Sequence, residues 1–188
     1  MGRPAKFTQG QVLDAALEIA AESGPGAATM TAIAGRLGAP TGSIYHRFGS
    51  RDLLIATLWL RAVRGFQQGF VAALEAGDGE TAALHTPRWC RSRPAEAAML
   101  LLRRREDVAV RWPDELGEDL DDANARVSTS LDAFAEAHRV DRERLVFAVV
   151  DVPYGAVRRH LLDRRPPPAL VDELILSSYR AVLPALGP

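Results

Sequence analysis

Two short amphipathic segments joined by a tight turn constrain the fold of this chain more than any other part of its sequence. Thr29 is a suitable N-cap for the first segment, which has four apolar residues at helical spacing: Met30, Ile33, Ala34 and Leu37. Gly38 can then end this helix in the left-handed conformation. A second helix from about residue 40 or 41 would bury Ile44 and Phe48, which are four residues apart. The pattern predicts a helix-turn-helix.

The second helix leaves polar side chains free to face outward: Thr41, Ser43, Tyr45, His46 and Arg47. Hydroxyl groups at the start of such a helix can donate to or accept from base edges, and a threonine methyl can contact a thymine methyl. A helix-turn-helix that presents these groups has the layout of a DNA-binding motif, whose second helix enters the major groove.

The segment GAPTGSIYHRFGSRDLL resembles the recognition-helix signature of the tetracycline-repressor (TetR) family of bacterial transcription regulators, over roughly residues 8–58. The resemblance implies an all-α fold of about nine helices: a three-helix DNA-binding domain at residues 1–50, and a helical ligand-binding and dimerisation domain at residues 51–188. It also implies a ligand-responsive regulator, commonly a repressor. Such a protein binds double-stranded DNA at a palindromic operator as a homodimer and is released by a small, largely apolar molecule.

The motif and the resemblance together predict which residues contact DNA. Thr41 and Ser43 are predicted to contact bases, while Gly42 lets the backbone approach closely. Tyr45 and His46 are predicted to bond phosphate oxygens. Further contacts are predicted on the same helix, at helix starts and in a basic N-terminal arm: Arg47, Thr29, Thr31, Arg51, Arg3 and Lys6. The alternative for His46 is a plain surface position. The alternative for Arg47 is that it points at solvent or at a neighbouring acid.

Two residues depart from the usual pattern of the family. Pro40 stands where a serine-like N-cap is common, so the side-chain acceptor is lost, although proline suits a first helical turn. Gly35 lies inside the first helix of the motif and costs roughly 1 kcal/mol relative to alanine. Packing against the first helix is expected to outweigh this cost.

Charge is distributed unevenly along the chain. The whole sequence has 23 Lys and Arg residues against 24 Asp and Glu residues, a formal net charge of -1. Up to Arg51 there are five cations and three acids, and all three acids lie on the first helix: Asp14, Glu18 and Glu22. The turn and second helix are therefore locally basic, as phosphate binding requires, although chance fluctuation also explains so small an excess.

Composition excludes several other classes of protein. No apolar run reaches the roughly 18 to 20 residues of a membrane span, and the N-terminus lacks the apolar stretch of a signal peptide, so we expect a cytoplasmic protein. The single cysteine, Cys90, excludes an intramolecular disulfide and is expected to be a buried small side chain rather than a redox sensor. The four histidines are dispersed, and no metal site, cofactor or catalytic constellation is expected.

A long fourth helix, from Ser50 as N-cap to about residue 76, has a bulky apolar ridge: Trp59, Val63, Phe66, Phe70 and Leu74. The ridge is either ordinary core or the wall of a ligand cavity. Further along the chain, Pro153 predicts a kink or break near Asp151. The predicted ligand-binding residues are Trp59, Phe66, Phe70, Asp151 and Tyr154, and a solvated surface acid is the alternative for Asp151.

The last two helices are apolar and need a partner, since the final one has Leu170, Leu174, Ser178, Val182 and Leu186 at helical spacing. The resemblance implies a four-helix bundle with the same helices of a second copy, and a monomeric bundle is the alternative. The run Arg103 to Arg105 is expected to be a solvated helix end. The competing functional hypotheses are a helical enzyme or small-molecule carrier, and a protein-binding adaptor.

Overall fold

The structure, a computed structural model, describes residues 7–101 and 113–183. Regular structure within these residues is helical, as predicted, and forms nine helices when the three consecutive segments of the eighth are counted together. They are α1 Gln9–Ser23, α2 Met30–Leu37, α3 Thr41–Phe48, α4 Arg51–Glu75, α5 Gly79–Ser92, α6 Pro94–Leu101, α7 Gly117–His138, α8 Arg142–Val146 with Phe147–Asp151 and Val152–Leu162, and α9 Leu170–Val182.

Side-chain caps fix the start of the first helix as the sequence predicts. The backbone N–H of Gln11 donates to Thr8 Oγ1 at 3.2 Å, and the N–H of Thr8 donates to Gln11 Oε1 at 2.8 Å. This reciprocal capping box satisfies two backbone donors that a helix entry otherwise leaves unpaired. Gly24 ends the helix, and a short 3₁₀ turn, Pro25–Ala27, leads to α2.

The predicted helix-turn-helix is present. Thr29 Oγ1 accepts from the N–H of Ala32 at 3.1 Å and caps α2. Gly38, with φ 60° and ψ 37°, ends α2 in the left-handed conformation. Helix α3 follows and buries Ile44 and Phe48, the pair expected from their spacing.

The chain folds into two compact units. The first consists of the described residues within 1–61 and 103–118, and the second of those within 62–102 and 119–188. In the first unit α2 packs against both α1 and α3. Helix α4 is one uninterrupted helix that contributes residues 51–61 to the first unit and 62–75 to the second. The domain division at residue 50, where α4 begins, stays a prediction.

Helix α5 organises the second unit, because it packs against α6, α8 and α9. At its start, an added Cβ on Gly79 would overlap Tyr179 Oη. A side chain at this position would therefore displace the tyrosine of α9. Cys90 is fully buried in the core of this unit, as expected, and burial raises the pKa of its thiol to about 12.

A kink or break is expected near Asp151, and the structure has no break there. Residues 142–162 are helical throughout, and the irregularity is a π turn over Phe147–Asp151, in which the N–H of Val152 donates to the carbonyl of Phe147. Pro153 then occupies the first turn of the following α-helical segment. A proline is tolerated there because a first-turn N–H needs no partner within its own helix, and the wider turn accommodates the change of register.

Among the described residues, no helix combines the length and the apolar character needed to cross a membrane. The described part of the chain also contains no cluster of three or more histidine, cysteine or acidic residues that could hold a metal ion. The run Arg103 to Arg105 and Leu186 lie outside the described residues.

We predict that Gly35→Ala raises the free energy of unfolding by about 0.5–1 kcal/mol. Gly35 is exposed within α2, and no atom lies within 4 Å of an added Cβ. Urea denaturation followed by circular dichroism measures the change. Gly38→Ala is the matched control: its site is equally open, but the left-handed backbone should make that variant less stable than wild type. A lower midpoint for Gly35→Ala would contradict the prediction.

Candidate functional site

The outer face of α3 presents the side chains that the sequence assigns to DNA. Ser43, Tyr45, His46 and Arg47 are exposed, and Thr41 is half-buried at the first helical position. Half of the surface of Tyr45, 50 %, is exposed. The buried pair on the opposite face of α3 fixes the orientation of these groups.

Two hydroxyl groups already make one hydrogen bond within the helix-turn-helix. Ser43 Oγ donates to the carbonyl of Pro40 at 2.7 Å, so the remaining capacity of this hydroxyl is as an acceptor. Thr29 Oγ1 accepts from a backbone N–H, and its own proton stays available for an acceptor such as a phosphate oxygen. Ser43 is therefore left as a hydrogen-bond acceptor, and Thr29 is left as a donor.

The backbone at Gly42 does not require a glycine. This residue is exposed near the start of α3, and an added Cβ would meet no atom within 4 Å. Glycine weakens a helix relative to alanine, so the fold of the described residues gives no reason for its presence.

The acids of α1 are all paired with arginines. Arg36 contacts Glu18 at 3.1 Å and Glu22 at 2.6 Å, and the hydrogen bond from this guanidinium lowers the pKa of Glu22. Arg61 contacts Asp14 at 2.7 Å. Such exposed pairs contribute little stability, but they neutralise the negative charge of the three acids of α1. Arg47, in contrast, makes no ion pair among the described residues.

Arg51 is engaged within the protein. Its Nε donates to the carbonyl of Ala28 at 3.1 Å, and Nη2 donates to the carbonyl of Pro25 at 2.6 Å. Thr31, the other predicted contact at a helix start, is exposed on α2. Arg3 and Lys6, the predicted basic arm, lie outside the described residues. The phosphate contacts of all four remain predictions.

Two of the predicted ligand-binding residues lie together in the second unit, where two further rings join them. The ring centroids of Phe66 and Phe70 are 6.0 Å apart, and those of His85 and Trp89 lie 4.9 and 5.2 Å from Phe66. We call these four side chains the aromatic cluster. Trp89 Nε1 is buried and has no hydrogen-bond partner among the described residues. His85 and Trp89 were missed by sequence reasoning, although their spacing of four on α5 was a usable signal.

The imidazole of His85 is held against α4. Its Nε2 is 2.8 Å from the carbonyl oxygen of Phe66, a geometry in which a protonated Nε2 donates. Burial lowers the pKa of His85, which favours the neutral ring. An added Cβ on Gly69 would overlap His85 Cε1, so glycine at this position makes room for the ring.

The other three predicted ligand-binding residues have different surroundings. Trp59 is almost completely buried in the first unit. Asp151 is exposed on α8. Tyr154 is partly exposed, and its hydroxyl donates to the carbonyl of Leu101 at 3.1 Å. Their roles toward a ligand remain predictions.

A polar groove of about 470 Å³ lies between α4 and α7 in the second unit. It is lined by Arg64, Gln67, Gln68, Val71, Asp119, Asp122, Ala123 and Arg126. Arg64 and Asp119 form an ion pair across it at 2.6 Å. None of these residues was predicted to bind a ligand, because polar residues at helical spacing are typical of a solvated face.

Residues 12–58, which include the whole helix-turn-helix, match the family described as bacterial regulatory proteins, tetR family. The similarity to this family is shown for that segment. The matched segment contains most of α1, all of α2 and α3, and the start of α4, so the sequence resemblance is confirmed on the residues that carry it. A search of curated proteins finds no match.

Solved structures extend the likeness over nearly the whole chain. A transcriptional regulator from Rhodococcus sp. Rha1 is 17% identical, with a TM-score of 0.71 over 97% of this chain and 100% of its own. A tetR-family member from Streptomyces coelicolor A3 is 20% identical, with a TM-score of 0.61 over 90% of this chain and 96% of its own. FadR from Bacillus subtilis, solved with stearoyl-CoA, is 15% identical, with a TM-score of 0.66 over 96% of this chain and 100% of its own.

At these identities the likeness shows the fold. The fold is that of tetR-type transcription regulators, in which a helix-turn-helix precedes a larger helical region.

Proposed function

We propose that this chain is a ligand-responsive transcriptional repressor that binds a palindromic operator as a homodimer. The observation that carries the proposal is the exposed polar face of α3 in a tetR-type helix-turn-helix. The proposed location is the cytoplasm. The proposed role is not enzymatic, because binding and release of DNA require no catalytic residues. The alternative functions, an enzyme or an adaptor, give no reason for a basic helix with this distribution of hydroxyls.

The proposed contacts follow from the chemistry of each group. Thr41 contacts a base edge, and Ser43 accepts a hydrogen bond from a base donor because its proton is already used. Gly42 lets the start of α3 approach the DNA closely. Tyr45, His46 and Arg47 contact phosphates, together with Thr29 and Thr31 at the start of α2. The two recognition helices of a dimer then read two half-sites that are related by symmetry.

We predict a steep, linear fall in log affinity for random-sequence duplex with log salt concentration, because phosphate contacts release counterions.

On a duplex selected for tight binding, Tyr45→Phe should weaken binding roughly tenfold, evenly across base sequences, because a charge-assisted hydrogen bond is lost. Thr41→Ala should instead alter the base preference at one position of each half-site.

Fluorescence anisotropy with both duplexes measures these effects. Thr129→Ala is the matched control, since Thr129 is an exposed threonine on α7 in the other unit. A flat salt response would refute DNA binding, whereas an unchanged base preference in Thr41→Ala would refute only the role of that residue.

Dimerisation is proposed through α8 and α9, which expose large apolar side chains. Leu162, Leu170 and Leu174 are 54%, 58% and 55% exposed. Because each leucine is already nearly half buried, burying the rest on both copies would contribute about 1–1.5 kcal/mol per side chain. Gly155 on α8 is also exposed with open space around it, which suits the close approach of a second helix.

We predict that Leu174→Glu converts the dimer to a monomer at micromolar concentration, because the substitution buries two carboxylates in an apolar interface. Sedimentation equilibrium measures the association. Ala125→Glu, an exposed position on α7, is the control with the same introduced charge and should stay dimeric. The interface would lie elsewhere if Leu174→Glu associated as tightly as wild type.

The effector is proposed to be a largely apolar molecule that contacts the aromatic cluster. Phe66 is half-buried, so part of its ring is accessible, while the cluster around it is firmly packed. A hydrogen-bond acceptor on the effector would satisfy Trp89 Nε1. The fold neighbour solved with stearoyl-CoA gives precedent for a ligand with a long apolar chain.

We predict that an apolar compound which raises the thermal midpoint of the wild type and releases it from DNA acts at least about tenfold more weakly on Phe66→Ala, because the smaller side chain buries less apolar surface against it. Thermal shift and anisotropy with stearoyl-CoA, free fatty acids and planar aromatic compounds test this. Phe147→Ala, an exposed phenylalanine on α8, is the control. Equal responses of both variants would exclude Phe66 from the effector site.

A further inference from the structure

We infer that Arg51 is a positioning residue, which holds the two ends of the helix-turn-helix together instead of neutralising a phosphate. The inference rests on the proposed DNA-binding function and assigns a new role to one of its residues. Ala28 directly precedes the N-cap of α2, and Arg51 is the first residue of α4. The Arg51 side chain therefore closes a loop that contains the turn, α2 and α3.

The chemistry of the contact requires an arginine. Nε and Nη2 donate to two different carbonyl oxygens, those of Ala28 at 3.1 Å and Pro25 at 2.6 Å. A guanidinium presents these donors in a rigid planar fork, whereas the ammonium of lysine is a single point charge on a flexible stem. Both carbonyls belong to the 3₁₀ turn or its end, and that of Pro25 also accepts from the backbone N–H of Ala28 at 3.3 Å.

The remaining guanidinium nitrogen also faces a carboxylate. Nη1 lies 3.9 Å from Asp52 Oδ1, and only a third of the Arg51 side chain is exposed. A phosphate that approached this nitrogen would meet the negative charge of Asp52. Arg47 on α3 is, in contrast, exposed and has no carboxylate paired with it among the described residues.

The position of the clamp formed by Arg51, Ala28 and Pro25 explains why its loss would affect specific binding in particular. Thr29 follows the clamped carbonyl of Ala28 directly, and Thr41 and Ser43 lie on the helix inside the loop. Contacts to base edges tolerate displacements of only about 0.5 Å. Non-specific binding depends on the number of neutralised phosphates and is insensitive to small changes in the placement of one helix.

The experiment compares full-length wild type with Arg51→Lys, Arg51→Ala and Arg61→Ala. Arg61→Ala is the matched control, because it removes the same charge and a tie from α4 to α1, at Asp14, without touching the turn before α2. The probes are the tightest duplex selected from a random library and a random-sequence duplex of equal length. Affinities are measured across a salt series, below the thermal midpoint of every variant.

We expect Arg51→Lys and Arg51→Ala each to lose at least about tenfold in affinity for the selected duplex, the scale expected for one mismatched base pair. Their affinity for random duplex should stay within about twofold of the Arg61→Ala control, with an unchanged salt slope, which also reports a folded domain. Retained specificity in Arg51→Lys would overturn the inference, because charge alone would then suffice.

A phosphate contact by Arg51 would give a different result that also overturns the inference. Arg51→Ala would then weaken binding to both duplexes equally and make the salt slope shallower by about 0.9 for each phosphate that is no longer neutralised. Failure of the proposed function itself is distinguishable, since the wild type would bind neither duplex in a salt-dependent manner.

Discussion

The burial of Ile44 and Phe48 is the interaction on which the function of this chain depends. Both side chains are almost completely excluded from solvent, and each contributes about 1.5–3 kcal/mol on burial. Because they occupy one face of a two-turn helix, the opposite face must point outward. The same apolar packing that stabilises the first unit therefore also orients every group on α3 that the proposal assigns to DNA.

Much of the first unit could be predicted because its determinants are local. The capping box at Thr8, the N-cap at Thr29 and the left-handed Gly38 each act over three or four residues, which a sequence displays directly. Arg51 marks the limit of such reasoning. Its partners lie 23 and 26 residues earlier in the chain, and an arginine at a helix start gives no signal for a bond to distant carbonyls.

The second unit was less predictable because the same residue types build a core and a ligand site. The ridge on α4 was visible in the sequence, but its partners on α5 depend on how two helices pack. The helix does not break at Pro153, and the irregularity expected near Asp151 takes the form of a wide turn just before the proline. The polar groove between α4 and α7 had no distinctive pattern at all, since its lining residues are those of any solvated helix.

The close approach of Gly69 and His85 couples two positions that are far apart in sequence. A side chain at 69 and an imidazole at 85 exclude each other in this packing, because the first Cβ would overlap the ring. A larger residue at 69 therefore requires a smaller residue at 85 or a wider spacing of α4 and α5. Relatives that keep this helix spacing and have a larger residue at 69 should have a smaller one at 85, and a redesign of the site around Phe66 must choose the two residues together.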